Sequence, residues 1–194
     1  MALIAEFIVP FILGLFYPQY SEIKNAMGKL SNIFSPVRWY YRIWQVLVSV
    51  VFVFLGINIY TSVSIWWLGL LMLGFICIFV VGAKILPTIL SFTRVYQMET
   101  TLGYLNDFSQ KIGSVCLQMA SILTCTLFFI DGNLKLGALC SIISLAGIFL
   151  ACINRLSHHH AFKDTIFAIQ GIWEKSFLLC TYFPFGVLAI SHII

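Results

Sequence analysis

The chain has 194 residues, 61% of them hydrophobic and 9% charged, with a mean hydropathy of +1.00 and a net charge of +4. A soluble domain carries about 25% charged residues, and a chain this poor in charge cannot clothe a core in solvated side chains; a soluble enzyme, a disordered tail and a disulfide scaffold are excluded. The eleven Lys and Arg are scattered singly with no basic cluster, so nucleic acid is not an expected partner, and the reading is an all-α, polytopic membrane protein whose first partner is the lipid bilayer.

In chain order, the first segment, 3–17, is apolar but short and contains Glu6 and Pro10. It has neither the basic residues nor the cleavage site of a signal peptide. Residues 20–36 follow, with Tyr20, Ile23, Met27, Leu30 and Ile33 at steps of three and four and Pro36 at the end. That spacing predicts an amphipathic helix.

The uncharged run from Ile43 to Ala83 is too long for one crossing and right for two, since a span needs about 20 apolar residues. Asn58, Thr61, Ser62 and Ser64 mark the turn, giving helices over 43–60 and 64–84 and a first transmembrane hairpin over 43–84. Residues 88–111 return to the amphipathic rhythm through Ile89, Phe92, Val95, Met98, Leu102, Leu105 and Phe108.

A second hairpin is expected over 112–154, with helices at 112–130 and 134–154. Its tip is Asp131-Gly132-Asn133, a triplet that tolerates the angles of a tight reversal. Residues 161–175 form a third, shorter stripe through Phe162, Ile166, Ile169 and Trp173. The segment 176–194 is long enough to span, with Pro184 and Gly186 as kinks. The expectation is thus a single integral domain of two hairpins, four core helices and five or six with the terminal segments, linked by cytoplasmic amphipathic helices.

Ten of the eleven basic residues fall on one side of this plan, leaving Lys135 at a hairpin tip. The positive-inside rule makes that side cytoplasmic and turns the tips outward. Trp39, Tyr40, Tyr41 and Trp44 lie at one end of the first helix and Trp66 and Trp67 at the start of the second, positions suited to the headgroup layer.

Ser114, Gln118, Ser121 and Cys125 share a face of the third helix. On the fourth, Gly137 with Ser141 and Gly147 with Ala151 form small-x-x-x-small pairs beside Ser144. Such residues let helix backbones approach and bond across the contact, or they wall a solute path. Packing is favoured, and other membrane subunits or a second copy are the expected partners. The first hairpin, richer in Val, Phe, Leu and Trp, is expected to meet more lipid. Glu6 is the acid inside an apolar segment, a candidate for ion-coupled work.

The remaining chemistry is thin. His158, His159 and His160 with Asp164 are the metal candidates, although adjacent histidines point to different faces of a helix. His159 and Asp164 have the H-x4-D spacing of one class of glycerolipid acyltransferases, without that family's other blocks. No phosphate-binding loop, zinc-protease motif or nucleophile elbow occurs, and no catalytic residue or cofactor is expected. The function that fits is a non-catalytic structural or assembly subunit, or an organiser of membrane shape. A small oligomeric transporter or channel is the alternative, and a lipid-acting enzyme using 158–164 the second.

Overall fold

A computed structural model describes residues 2–18, 20–32, 34–90, 101–157 and 169–191, and every regular element among them is helical. The elements are α1 (Ala2–Leu15), a 3-10 turn (Met27–Ser31), α2 (Arg38–Ser62) and α3 (Trp66–Phe79). A π-helical stretch (Val80–Ile85) then leads into α4 (Leu86–Leu90), followed by α5 (Thr101–Ile130), α6 (Leu134–Ser157) and α7 (Gln170–Ser191). Among the described residues, four helices are long and apolar enough to cross a membrane: Arg38–Ser62, Trp66–Leu90, Thr101–Ile130 and Leu134–Leu156.

The helices overrun the bounds read from charge, because a charged or hydroxylated side chain does not end a helix. Arg38 and Arg42 lie inside α2. Thr61 also stays helical, its hydroxyl donating to the Ile57 carbonyl at 3.1 Å, so the turn contracts to the residues after Ser62, with Val63 extended. Likewise nothing in the backbone separates Lys111 from Ile112. The part of the 88–111 segment from Thr101 onward is the first third of α5 rather than a linking helix. The helix expected over 64–84 continues to Leu90.

The segment 20–36 departs most from expectation: it is turns and the 3-10 element, not an amphipathic α-helix. Two of its backbone polar groups bond to α7. The Met27 N–H donates to Glu174 Oε2 at 2.7 Å, and the Glu22 carbonyl accepts from Lys175 Nζ at 2.8 Å. A backbone bonded to a neighbouring element has no need of the i−4 ladder. Of the 161–175 stripe, 161–168 lie outside the described residues, and Trp173 belongs to α7, which absorbs 176–191 as well.

Two compact units partition the chain. The first comprises Leu3–Leu30 with Ser121–Ile194. Here α6 packs along α7, and Phe7 of α1 meets Tyr182 of α7 edge-on at 6.1 Å. α5 reverses into α6 through a Schellman cap: Gly132 N–H donates to the Phe129 carbonyl at 3.2 Å and Asn133 N–H to the Phe128 carbonyl at 2.9 Å. Gly132 has φ +78°, a conformation that glycine adopts at no steric cost.

The second unit is Ser31–Ala120. α2 lies against α3 in antiparallel order: Phe52 meets Phe79 edge-on at 5.2 Å, Gly56 faces Ile76 and Gly69 faces Tyr60. Val48, Phe52, Ile59, Leu68, Met72 and Ile76 form the buried face, while Ile43, Val46, Leu47, Val50 and Phe54 stand exposed on α2.

Candidate functional site

The polar face expected on the third helix meets its partner on α6. Ser121 and Ser144 share a hydrogen bond of 3.0 Å, and Cys125 Sγ lies 3.4 Å from the same Ser144 hydroxyl. The Cys125 thiol also donates to the Ser121 carbonyl at 3.3 Å. All three residues are buried, as are Gly137 and Gly147. Near the tip, the Phe129 ring fills the notch at Gly137, where a Cβ would sit 2.9 Å from it. Polar groups withdrawn from water are costly unless bonded to each other, and here small side chains let the backbones come close enough for that. The face is therefore a closed, directly bonded seam over Ser121, Cys125 and Ser144.

Other residues of the face have other roles. The Ser141 hydroxyl turns back to its own helix and donates to the Gly137 carbonyl at 2.8 Å. Ala151 is half-buried. Ser114 bonds the Lys111 carbonyl at 2.8 Å, and Gln118 is buried; both belong to the second unit. Exposure divides by helix more than by pair: 56% of the most apolar window of α5 is buried, against 22% in α6. Outside its small-residue stripe, α6 presents Leu139, Ile142, Leu145 and Phe149 outward.

Glu6 is 1% exposed, on the helix whose Phe7 packs against Tyr182. Four residues on, Pro10 is also buried and brings no N–H to the Glu6 carbonyl.

Two features escaped sequence reasoning. The first is an ionic clamp at the start of α7. Lys175 Nζ bonds both the carbonyl and the carboxylate of Glu22, while Glu174 receives the Met27 N–H. Gly171 is the pivot. A Cβ there would stand 2.4 Å from the Glu22 carbonyl oxygen, 2.5 Å from that of Asn25 and 2.9 Å from that of Ile23. Tyr20 lies in this cluster, and its phenol is held well above its ordinary range, first by burial and then by the charges of Glu22 and Glu174. The signal available in sequence was faint: an adjacent Glu-Lys pair just before an apolar run.

The second feature is the π-helical stretch. Lys84 is nearly buried within it, its ammonium 5.6 Å from the centre of the Phe79 ring, a cation–π distance. The Thr88 hydroxyl donates to the Lys84 carbonyl at 2.7 Å. Gly82 and Gly113 mark where this stretch crosses α5; a Cβ on Gly82 would lie 2.7 Å from the Ser109 carbonyl oxygen. π-helical turns are frequent at functional sites, and this one carries Lys84, the residue that follows the uncharged run ending at Ala83. Arg42, in α2 of the same unit, is 2% exposed.

Comparison with known protein families, with curated proteins and with solved structures finds no match to this chain. The metal candidates His158, His159, His160 and Asp164 lie outside the described residues. Among the described residues, no group of three or more His, Cys, Asp or Glu is placed to hold a metal ion. The six cysteines are free thiols.

Proposed function

We propose that this chain is a multi-pass integral membrane protein of two transmembrane hairpins that acts without catalysis, as an assembly subunit or an organiser of bilayer shape. The observation carrying the proposal is the Ser121–Cys125–Ser144 seam, where the polar side chains of the second hairpin bond to one another while large aliphatics face outward. Helix spacing agrees. Trp39 and Tyr60 on α2 are about 31 Å apart at the rise of an α-helix, close to the thickness of about 30 Å of a bilayer's hydrocarbon core. In this reading the basic ends lie in the cytoplasm and Asp131-Gly132-Asn133 faces outward. α5, about 45 Å long, extends past the hydrocarbon at its Thr101 end, where Lys111 pairs with Asp107 at 2.5 Å. The partners are lipid and other membrane subunits or a second copy.

Alkaline washing of membranes is expected to leave the chain in the pellet, and a glycosylation acceptor inserted at Asn133 to be modified. Native mass analysis from mild detergent is expected to retain a partner, or reconstitution to change vesicle shape. A lone monomer with no effect on vesicles would overturn the structural role, and an extractable chain would overturn the membrane reading itself.

A small oligomeric transporter is the second reading, favoured by the buried ionisable side chains Glu6, Arg42 and Lys84 within apolar helices. Such groups in lipid mark ion or substrate paths by default. Proteoliposomes carrying a solute or ion current that Glu6→Gln abolishes would establish it over the structural role.

A further inference from the structure

Trp66–Leu90 is one continuous helical span, and Lys84 is its single charged residue. The ladder of hydrogen bonds changes partway along it. Val80 N–H donates to the Ile76 and Cys77 carbonyls, whereas Leu86 N–H reaches five residues back to Val81. The cause is in the sequence, for Pro87 follows directly. In a regular α ladder its ring would strike the carbonyl four residues before it, that of Ala83. A turn that closes on the fifth residue instead of the fourth relieves that clash.

The wide turn also decides where the charge goes. The Lys84 ammonium stands 5.6 Å from the centre of the ring of Phe79, five residues earlier. On an α-helix two such residues point about 140° apart; the π turn stacks them, so this cation–π contact helps to hold the wide form. Lys84 is 9% exposed and Val81 50% exposed, which puts the cation inside and the aliphatic side chain outside. Where the stretch crosses α5, the atoms nearest to Gly82 are the Ser109 carbonyl oxygen and the Gly113 backbone, and those nearest to Gly113 are Ala83 and the Phe79 carbonyl oxygen. Backbone lies on backbone at this point, without the interlocked ridges and grooves that resist rotation about a helix axis. The Thr88 hydroxyl donates to the Lys84 carbonyl at 2.7 Å, which keeps that acceptor satisfied in either ladder.

We infer that Val80–Ile85 is a rotary joint with two positions, a π position that keeps Lys84 in the core and an α position that turns it outward. Closing the wide turn removes one residue from it and rotates the helix beyond by one residue's share, about 100°. Lys84 and α4 swing together, and the ammonium leaves Phe79 for the surface, where its long side chain reaches polar surroundings. Pro87 and the Phe79 ring favour the inward position; the cost of burying an ammonium favours the outward one. The inference needs only the packing within the second unit and stands apart from the function proposed above.

The test uses the full chain in an uncharged detergent. Its lysines are acylated by a water-soluble ester, and the rate at each is read from peptide masses, with the exposed Lys135 as internal reference. In the native chain Lys84 is expected to react to completion, about tenfold or more slower than Lys135, through the outward position. Pro87→Ala removes the cause of the wide turn and should raise the Lys84 rate about tenfold; Phe79→Leu should do the same, the worth of a desolvated cation–π contact. Met72→Ala, which empties a buried site two turns before Phe79, controls for loosened packing and should leave the Lys84 rate unchanged. A Lys84 that never reacts in the native chain, an unchanged rate in folded Pro87→Ala, or an equal rise in Met72→Ala and Phe79→Leu overturns the joint. Should Pro87→Ala not fold, the native chain with Phe79→Leu and Met72→Ala decides alone.

Discussion

Replacing Gly171 by alanine tests the clamp at the start of α7. The added carbon would meet three backbone oxygens at 2.4, 2.5 and 2.9 Å, where ordinary contact begins near 3.4 Å. Backbone cannot rotate out of the way, so α7 and the 22–25 turn must part by about 1 Å, beyond the hydrogen-bond range for Met27 N–H and Glu174. Overpacking costs about 1–3 kcal/mol and a hydrogen bond to a charged group about 1.5–3 kcal/mol. Set against a helix-propensity gain of about 1 kcal/mol from Gly to Ala, the net loss is about 1.5–5 kcal/mol. Gly186, on the same helix, is the matched control: nothing lies within 4 Å of its Cβ position, so Gly186→Ala is expected to be neutral or stabilising by up to about 1 kcal/mol. Unfolding by sodium dodecyl sulfate in mixed micelles, followed by circular dichroism, reads both. Should the two variants shift stability in the same direction by similar amounts, the close approach at Gly171 is refuted.

Three further outcomes are expected. A double-mutant cycle of Ser121→Ala and Ser144→Ala, measured by the same unfolding titration, should give a coupling of about 0.6 kcal/mol, the usual worth of a polar contact between membrane helices; zero coupling would dissolve the seam. Tyr20 has a folded pKa raised above its ordinary 10.0, so the unfolded chain loses its proton first and stability should fall as pH rises above about 10; Tyr20→Phe should remove that alkaline slope, and an unchanged slope counts against the buried phenol. Gly82→Leu, forced against the Ser109 carbonyl, should destabilise by at least about 1–3 kcal/mol, whereas Gly74→Leu, with open space at its Cβ position, should not; equal unfolding midpoints for the two would remove the crossing.

The helical class and the number of long apolar helices were legible because hydropathy is a sum over many residues, and no single misreading disturbs it. The Asp131-Gly132-Asn133 reversal was legible because a positive φ singles out glycine. Small polar side chains recurring at helical steps drew attention to Ser121 and Ser144, whose hydroxyls lie 3.0 Å apart. Helix ends were less legible: Arg38, Arg42 and Thr61 look like borders but remain in the ladder, as polarity and backbone geometry are separate constraints. The 20–36 segment misled for a physical reason. Its apolar spacing is that of a helix, yet its partners sit some 150 positions away in Glu174 and Lys175, and no local pattern encodes a pairing so distant. Gly171 is silent in sequence for the same reason, because what matters is the backbone that passes over it.

The first unit draws on both ends of the sequence, with Ser31–Ala120 inserted between its parts. During synthesis, Glu6 and Glu22 therefore leave the ribosome long before Tyr182 and Lys175 exist. The Glu22–Lys175 ion pair and the Phe7–Tyr182 contact form only after the intervening 31–120 has been made, and contacts of such high sequence separation are slow to close. A nascent chain stalled before α7 leaves an acidic group on a greasy helix without its native surroundings, a signal that chaperones and membrane proteases can read. Docking of α7 on the 20–30 segment thus has to wait for the intervening residues 31–120, and lesions in 170–191 should be seen first as lost abundance in the cell.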